Sequence, residues 1–438
     1  MSDVLLYDAS HLVSRLGCRS PDGFVNVDLA YAAHFSTQAG SRFVYSRSDN
    51  PSVIARPLAD EIMDRTRRSN WHAGSRRDQS VFAALRTAIL AKGGVSGRIH
   101  AGAARSSASE LLAEKITRPL WKSGLQLKLL GGGGSALIPD GGIYLNIAQH
   151  AVAPAGGIGW LRARPDLRSV FFIHDLLPLD CPEFFPPGSR EAFDARVEMA
   201  LNQGRALIFA SNAVRERVED EFRRRRRSPL PSMVAHLPSP LSEVDEKKLD
   251  DRELAAAPYF VIVGTIEPRK NHLVLLSIWR QMAQSARQTG TAVPKLVIVG
   301  RRGHRVQQVC DVLDLSSDVR PHVVEISGLS AESLARLIAN SRGLLMPSFA
   351  EGYGLPLVEA MSLGVPVVAT DAPVFREVTQ GRATYHSPHD GEGWRQTILS
   401  LADRESPFAR ESTAAVRRFA RPTWARYFDD VGHFLKGV

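Results

Sequence analysis

Several classes of protein are argued against by what this chain lacks. It has three cysteines in 438 residues, Cys18, Cys181 and Cys310. Their spacing fits no metal site and an odd number cannot all pair, so the usage suits a reducing compartment rather than a disulfide scaffold. Long apolar runs are missing. YFVIVG and VFFI are strand-sized, far below the roughly 20 residues that span a bilayer. The start, MSDVLLYDAS, has no basic region ahead of an apolar stretch, so no secretory leader is expected. No Asp-x-Asp occurs anywhere, so no metal site and no obligatory metal bridging a diphosphate is expected. No repeat recurs at a fixed period, and low complexity is confined to the glycines at 131–134.

What is present describes a globular protein. Hydrophobic residues make up 44% and charged residues 23%, the balance of a folded chain. A length of 438 residues exceeds one ordinary core and predicts two domains. The 55 basic and 46 acidic residues leave a net charge of +9. That excess suits a polyanion, an anionic membrane surface or a phosphorylated substrate. Part of it is a single run, 223–227, five arginines that read either as a membrane contact or as the solvated end of a helix. The run has no interleaved aromatics, so no nucleic acid partner is expected.

The hydrophobic rhythm is clearest after residue 258. Apolar, β-rich stretches at 259–265, 295–300, 322–328, 343–348 and 365–370 alternate with helical patterns at 271–287, from about 304, and at 331–341. Such alternation predicts an α/β fold with parallel sheets covered on both faces. The first half reads similarly, with strands at 4–10, 42–46, 142–148, 169–175, 206–211 and 232–237. Helices are expected at 24–38, 77–92, 107–122, 189–203 and 212–226. Proline and charge crowd 229–258. This predicts a first domain over 1–240, a linker at 241–257, a second domain over 258–420 and a terminal helix over 421–438, with ligand taken in a cleft.

Three clusters carry chemistry. In SFAEGYGLPLVEAMSLGVPVVA (348–369), a strand runs into a glycine turn at Gly352 and Gly354. Pro356 then fits the first turn of a helix. Backbone N–H groups at such a helix start attract anions and hydroxyls, and the stretch Gly352, Tyr353, Gly354 and Leu355 supplies them. Glu351 precedes the turn and Glu359 lies inside the helix. They address different parts of one elongated ligand, since carboxylates accept well from vicinal diols. The alternative is a capping acid and a surface ion pair, which leaves the glycines and proline unexplained. In GTIEPRKNH (264–272), Gly264 and Thr265 follow a strand, and Arg269 and Lys270 stand at the next helix start. Two adjacent cations there form a diphosphate site, with Glu267 to orient Arg269. The alternative is a solvated basic loop. In FFIHDLLPLDCPEFFPPG (171–188), His174 and Asp175 sit at the C-terminal end of a strand, where α/β sheets place their chemistry.

Together these motifs resemble the retaining GT-B glycosyltransferases of family 4. The doubled glutamate is matched by EGYGLPLVE, the phosphate loop by Gly264, Pro268, Arg269, Lys270 and Asn271. The His-Asp motif is matched by His174, Asp175, Pro178, Pro182, Glu183 and Phe185, and the family's Ser-x-x-x-Arg helix by ASNAVRERV (210–218). The resemblance implies two Rossmann-like domains, an acceptor-binding first and a donor-binding second, and a terminal helix that returns to the first. It implies that Arg269 and Lys270 bind the donor diphosphate, Glu359 the ribose, and Glu351 the transferred sugar. His174 and Asp175 would complete the catalytic set, and the base would lie near Glu325 to Leu329. Thr265 stands where many members have arginine, and the usual N-terminal glycine loop is replaced by 21–35, with Gly23 its candidate. The wording GTIEPRKN resembles bacterial polysaccharide mannosyl- and rhamnosyltransferases. A GDP-mannose donor follows from that resemblance, with a UDP-sugar as the alternative. The implied acceptor is a lipid-linked saccharide, and the implied location is the cytoplasm or the inner face of the cytoplasmic membrane. A nucleotide-sugar epimerase, which needs no acceptor, and a pyridoxal-dependent phosphorylase are the rival enzyme readings.

Overall fold

The structure, a computed structural model, describes residues 4–16, 23–46, 51–70, 76–91, 97–99, 138–147 and 158–438. The helix expected at 107–122, the glycines at 131–134 and Cys18 lie outside these residues. The chain forms two compact units, each built on one sheet.

The first unit draws on Met1–Trp71, Ser106–Leu237 and Thr423–Val438. Its strands are β1 (Leu5–Asp8), β2 (Arg42–Tyr45) and β3 (Ser52–Ile54), then, beyond a strand of the other unit, β5 (Ile143–Asn146), β6 (Arg168–Ile173), β7 (Ala206–Phe209) and β8 (Ser232–Val234). The order is β3-β2-β1-β5-β6-β7-β8, and only the β2–β3 pair is antiparallel. β1, β5 and β7 are buried throughout, as strands covered on both faces must be. The helix Trp424–Gly437 lays Tyr427 and Phe428 against the helix Gly23–Ser36. Tyr31 and Tyr427 share a hydroxyl hydrogen bond of 2.7 Å, and His34 stacks on Phe428.

The second unit draws on Pro238–Pro422 and also on residues from the chain's first half. Its strands are β4 (Gly97–Ile99), β9 (Tyr259–Val263), β10 (Lys295–Val299), β11 (Val323–Ile326), β12 (Gly343–Met346), β13 (Val367–Thr370) and β14 (Thr384–His386). All pairs are parallel, in the order β14-β13-β12-β9-β10-β11-β4. Trp279 and Trp394 are fully buried in its core with Phe260, Leu296 and Leu345. The sheet order reverses at β9, whose neighbours are β10 and β12. Loops leaving the carboxyl ends of β9 and β12 therefore diverge at one topological switch point, where open α/β sheets bind ligands.

One boundary differs from the expectation of a continuous first domain over 1–240. The helix Arg76–Leu90 and β4 belong to the second unit. Asp78 explains the attachment: its carboxylate accepts from the Ser330 amide at 3.1 Å, the Ser330 hydroxyl at 2.7 Å and the Ser333 hydroxyl at 2.9 Å. Arg98 on β4 lies 3.3 Å from Glu325 on β11.

Candidate active site

The switch point of the second unit brings two of the sequence clusters together. After β9 the chain turns through Gly264, whose φ of +136° suits glycine alone. A Cβ there would stand 3.1 Å from Cε and 3.2 Å from Nζ of Lys270, so the missing side chain makes room for the ammonium. Thr265 is half-buried in the same turn. Pro268–Lys270 form one 3-10 turn, and Asn271 is left-handed at φ +53° before the helix His272–Thr289 begins. After β12 the chain turns through buried Gly352 and Tyr353 to Gly354, left-handed at φ +93°. Leu355 and Pro356 then open the helix Leu355–Ser362. Proline at its second position leaves no hydrogen bond unmade, because the first turn's N–H groups have no partner within the helix.

These turns place Glu351 against both cations. Its Oε2 lies 2.6 Å from Arg269 Nη1 and its Oε1 2.6 Å from Lys270 Nζ. Glu267 flanks the guanidinium at 3.0 Å, and Arg269 Nη1 also donates to the Ala350 carbonyl at 3.2 Å. The Phe349 amide donates to the Arg269 carbonyl at 2.8 Å, fixing one loop to the other. Burial works to raise the Glu351 carboxyl, but the Arg269 and Lys270 charges outweigh it and hold the group down at about 2. Glu351 is thus an ionised carboxylate whose two oxygens are both engaged by cations.

Glu359 is the opposite case. It is buried one helical turn inside Leu355–Ser362, and among the described residues its carboxyl has no hydrogen-bond partner. Burial pushes it up to about 7, with Lys270 acting weakly the other way. A buried carboxyl without a partner is costly unless a ligand supplies donors. His272 is also buried, and neither ring nitrogen has a hydrogen-bond partner among the described residues; burial and the nearby Lys270 charge lower it to about 3.

In the first unit, His174 follows β6 directly, and its Nε2 lies 2.6 Å from the Ile147 carbonyl. Phe24 meets the imidazole edge-on at 4.6 Å, which places the helix starting at Gly23 beside it. Asp175 accepts from the Leu177 amide at 3.0 Å, a local turn bond just ahead of Leu177–Asp180. The sequence motifs did not single out the polar groups at this unit's own switch point, between β1 and β5. Asp8 accepts there from the Ser10 amide at 2.8 Å, from Asn146 at 2.9 Å and from the Tyr144 hydroxyl. Asp28 joins His11, at 2.8 Å, and the Tyr7 hydroxyl. The available signal was a charged or amide residue ending an apolar strand, as in LLYD and IYLN.

Glu325 lies buried on β11, gripped by Arg302 at 2.7 Å and by Arg98 at 3.3 Å, while Arg302 also holds Asp314 at 2.6 Å. The arginine run is committed as well. Arg223 pairs with Asp220 and Arg224 with Glu221; Arg225 engages Asp194, Glu198 and Glu221, and Arg227 engages Glu198. The charge excess of that run is therefore largely met within the chain. Among the described residues, no helix is long and apolar enough to cross a membrane and no three His, Cys, Asp or Glu side chains gather as a metal site.

Residues 257–404 match the family of glycosyl transferases, group 1. Over 229 residues the chain is 32% identical to the serotype-specific mannosyltransferase WbdA of Escherichia coli, covering 50% of this chain and 28% of WbdA. Over 242 residues it is 28% identical to the O-antigen chain mannosyltransferase B of Escherichia coli, covering 54% of this chain and 62% of that protein. The chain thus spans less than two thirds of either relative. In structure it is similar to the α,α-trehalose 6-phosphate synthase of Burkholderia multivorans, with a TM-score of 0.58, 13% identity and coverage of 100% and 97% of the two chains. Residues 257–404 are a group 1 glycosyl transferase domain, carried in a chain with the two parallel-sheet units of the GT-B fold and with mannosyltransferases among its relatives.

Proposed function

We infer that the chain is a retaining glycosyltransferase that moves mannose from GDP-mannose to a saccharide acceptor in the synthesis of a bacterial surface polysaccharide. The observation that carries this reading is the single carboxylate of Glu351 set between Arg269 and Lys270, beside a buried and unpartnered Glu359. Cations at a strand-to-helix turn bind a diphosphate, and a carboxyl lacking donors accepts ribose hydroxyls. The relatives named as mannosyltransferases support mannose as the sugar. The acceptor in this reading is lipid-linked, and the protein works at the inner face of the membrane. The net charge of +9 supports such a contact less than the sequence suggested, because most of the arginine run is paired internally.

The proposed chemistry uses these groups for binding and electrostatics. The bond between the anomeric carbon and the donor phosphate oxygen breaks as the acceptor oxygen bonds to the same face of that carbon. The acceptor's proton passes to the departing phosphate oxygen. Arg269 and Lys270 balance the charge that grows on that phosphate, and Glu351 orients both cations while accepting from sugar hydroxyls. N–H groups of Gly352, Tyr353, Gly354 and Leu355 face the polar ligand in this scheme. Gly264 and Thr265 line the diphosphate loop. His174 and Asp175 belong to the proposal through the family resemblance, and His174→Ala is expected to lower turnover while leaving GDP binding unchanged.

Thermal shift with GDP-mannose, UDP-glucose and UDP-N-acetylglucosamine tests the donor. A ligand at a hundredfold excess over its dissociation constant stabilises by about 2.7 kcal/mol. GDP-mannose is expected to give the largest shift, and transfer followed by NMR is expected to show the α-anomer retained. A shift with UDP-sugars alone would overturn the donor, and an epimer formed from donor alone would overturn the transferase.

A further inference from the structure

The loops that carry Arg269 and Glu351 also carry an aromatic group that the site described above does not use. Phe349 follows β12 and precedes Glu351 by two residues, yet it is 37% exposed. Large apolar side chains exposed to this degree are few among the described residues. Its ring lies 5.4 Å from that of His389, tilted by 39°, and His389 is itself exposed. The two rings come from different loops, one after β12 and one after β14.

The pair is held by more than its own contact. Asn271, buried and left-handed, donates from one amide group to the Pro347 carbonyl at 3.2 Å and to the Pro388 carbonyl at 3.0 Å. It therefore ties the backbone just before Phe349 to the backbone just before His389. The Phe349 amide is bonded to the Arg269 carbonyl, and the Ser387 carbonyl accepts from the buried Trp394 indole at 3.0 Å. An exposed aromatic pair on loops fixed at this many points is pre-organised, so a ligand would lose little freedom of the protein on binding.

An aromatic group and a carboxylate carried two residues apart on one loop are a combination suited to a pyranose. The axial C–H face of the sugar lies on the ring while its equatorial hydroxyls donate to the acid. We propose that Phe349, with His389, forms a pyranose-binding face adjoining the Arg269–Lys270–Glu351 cluster. This rests on the glycosyltransferase reading of that cluster. The pyranose is that of the donor or that of the acceptor saccharide, and both present the same C–H face.

Binding is measured on the full chain by titration calorimetry with GDP, GDP-mannose and α-1,3-mannobiose as probes, for wild type, Phe349→Ala, Phe349→Trp and His389→Ala. Phe349→Ala is expected to weaken one sugar-bearing probe by about fivefold or more while GDP affinity stays within about twofold, and Phe349→Trp restores it. Loss confined to GDP-mannose assigns the donor sugar, and loss confined to mannobiose assigns the acceptor. If both probes bind Phe349→Ala as they bind wild type, the proposal is overturned and the cluster's function stands. If wild type binds none of GDP, GDP-mannose, UDP and UDP-glucose, the reading of the cluster falls and this proposal with it.

Discussion

Glu351 holds Lys270 and Arg269 on its two separate oxygens, each at 2.6 Å. In the unliganded chain this acid neutralises the cations proposed to receive a diphosphate. Glu351→Gln is therefore expected to act in opposite directions on binding and turnover. Removing the carboxylate leaves the cations more attractive to an anion, so GDP binds more tightly. Losing an orienting charge lowers transfer by about a hundredfold or more. Calorimetry with GDP and a radiolabelled transfer assay read the two effects, and weaker GDP binding with intact transfer would refute the role.

The strands of the second unit were legible because β9, β10 and β13 are continuous apolar, β-branched runs, the signature of strands buried on both faces. Other elements were hidden for physical reasons. The helix Arg56–Asn70 is so polar that its buried stripe, Ala59, Ile62, Met63 and Thr66, is thin against the surrounding charge. β4 has three residues, GRI, too few to show a period, and it joins the second sheet through a parallel ladder with β11, flanked by the Arg98–Glu325 pair and the Asp78 contacts. Glu351, Arg269 and Lys270 were each singled out by local pattern. Their union depends on β9 and β12 being neighbours across 83 residues of chain, which local pattern does not encode. The Phe349–His389 pair depends on β14, a strand that no apolar run announces.

Glu359 makes stability depend on pH. Its carboxyl is raised from 4.5 to about 7 in the folded chain. Between these values the folded state binds more protons than the unfolded state, so this group's contribution to stability falls as pH rises through the window. The full effect is on the order of 3 kcal/mol. Glu359→Gln is expected to flatten that slope in urea melts from about pH 4.5 to 7.5. Ribose hydroxyls favour the ionised acid, so GDP binding at about pH 6 is expected to release a proton, seen by calorimetry in buffers of different ionisation enthalpy. An unchanged slope in Glu359→Gln contradicts the assignment.

His272 buries two ring nitrogens with no partner among the described residues. A leucine there removes both unmet polar atoms and keeps most of the volume. His272→Leu is expected to hold stability or raise it by about 1 kcal/mol in denaturant melts. The histidine is lowered from 6.5 to about 3 by burial, so the wild-type chain loses stability from this group as pH falls below 6.5. The leucine variant should lose that acid sensitivity. Destabilisation of more than about 1.5 kcal/mol would show that an unseen partner holds the ring.

The arginine run divides by burial. Arg225 is 19% exposed and engages three carboxylates, whereas Arg223 is 65% exposed and pairs with one. Arg225→Ala is expected to cost about 2 kcal/mol and Arg223→Ala less than about 0.5 kcal/mol, read from urea midpoints. Sedimentation with phosphatidylglycerol vesicles is expected to change little in Arg225→Ala, since that side chain is already occupied. Equal destabilisation by the two substitutions would show that the pairing network does not bear on stability.

The direct test of the whole account is the affinity of GDP-mannose for wild type and for Lys270→Ala, measured by calorimetry at neutral pH. Lys270 is buried with its ammonium on Glu351 and over Gly264, and it has no surface role to confuse the result. A diphosphate bound at this lysine predicts that Lys270→Ala weakens binding by at least about thirtyfold. Binding within about threefold of wild type would place the diphosphate elsewhere and contradict the account.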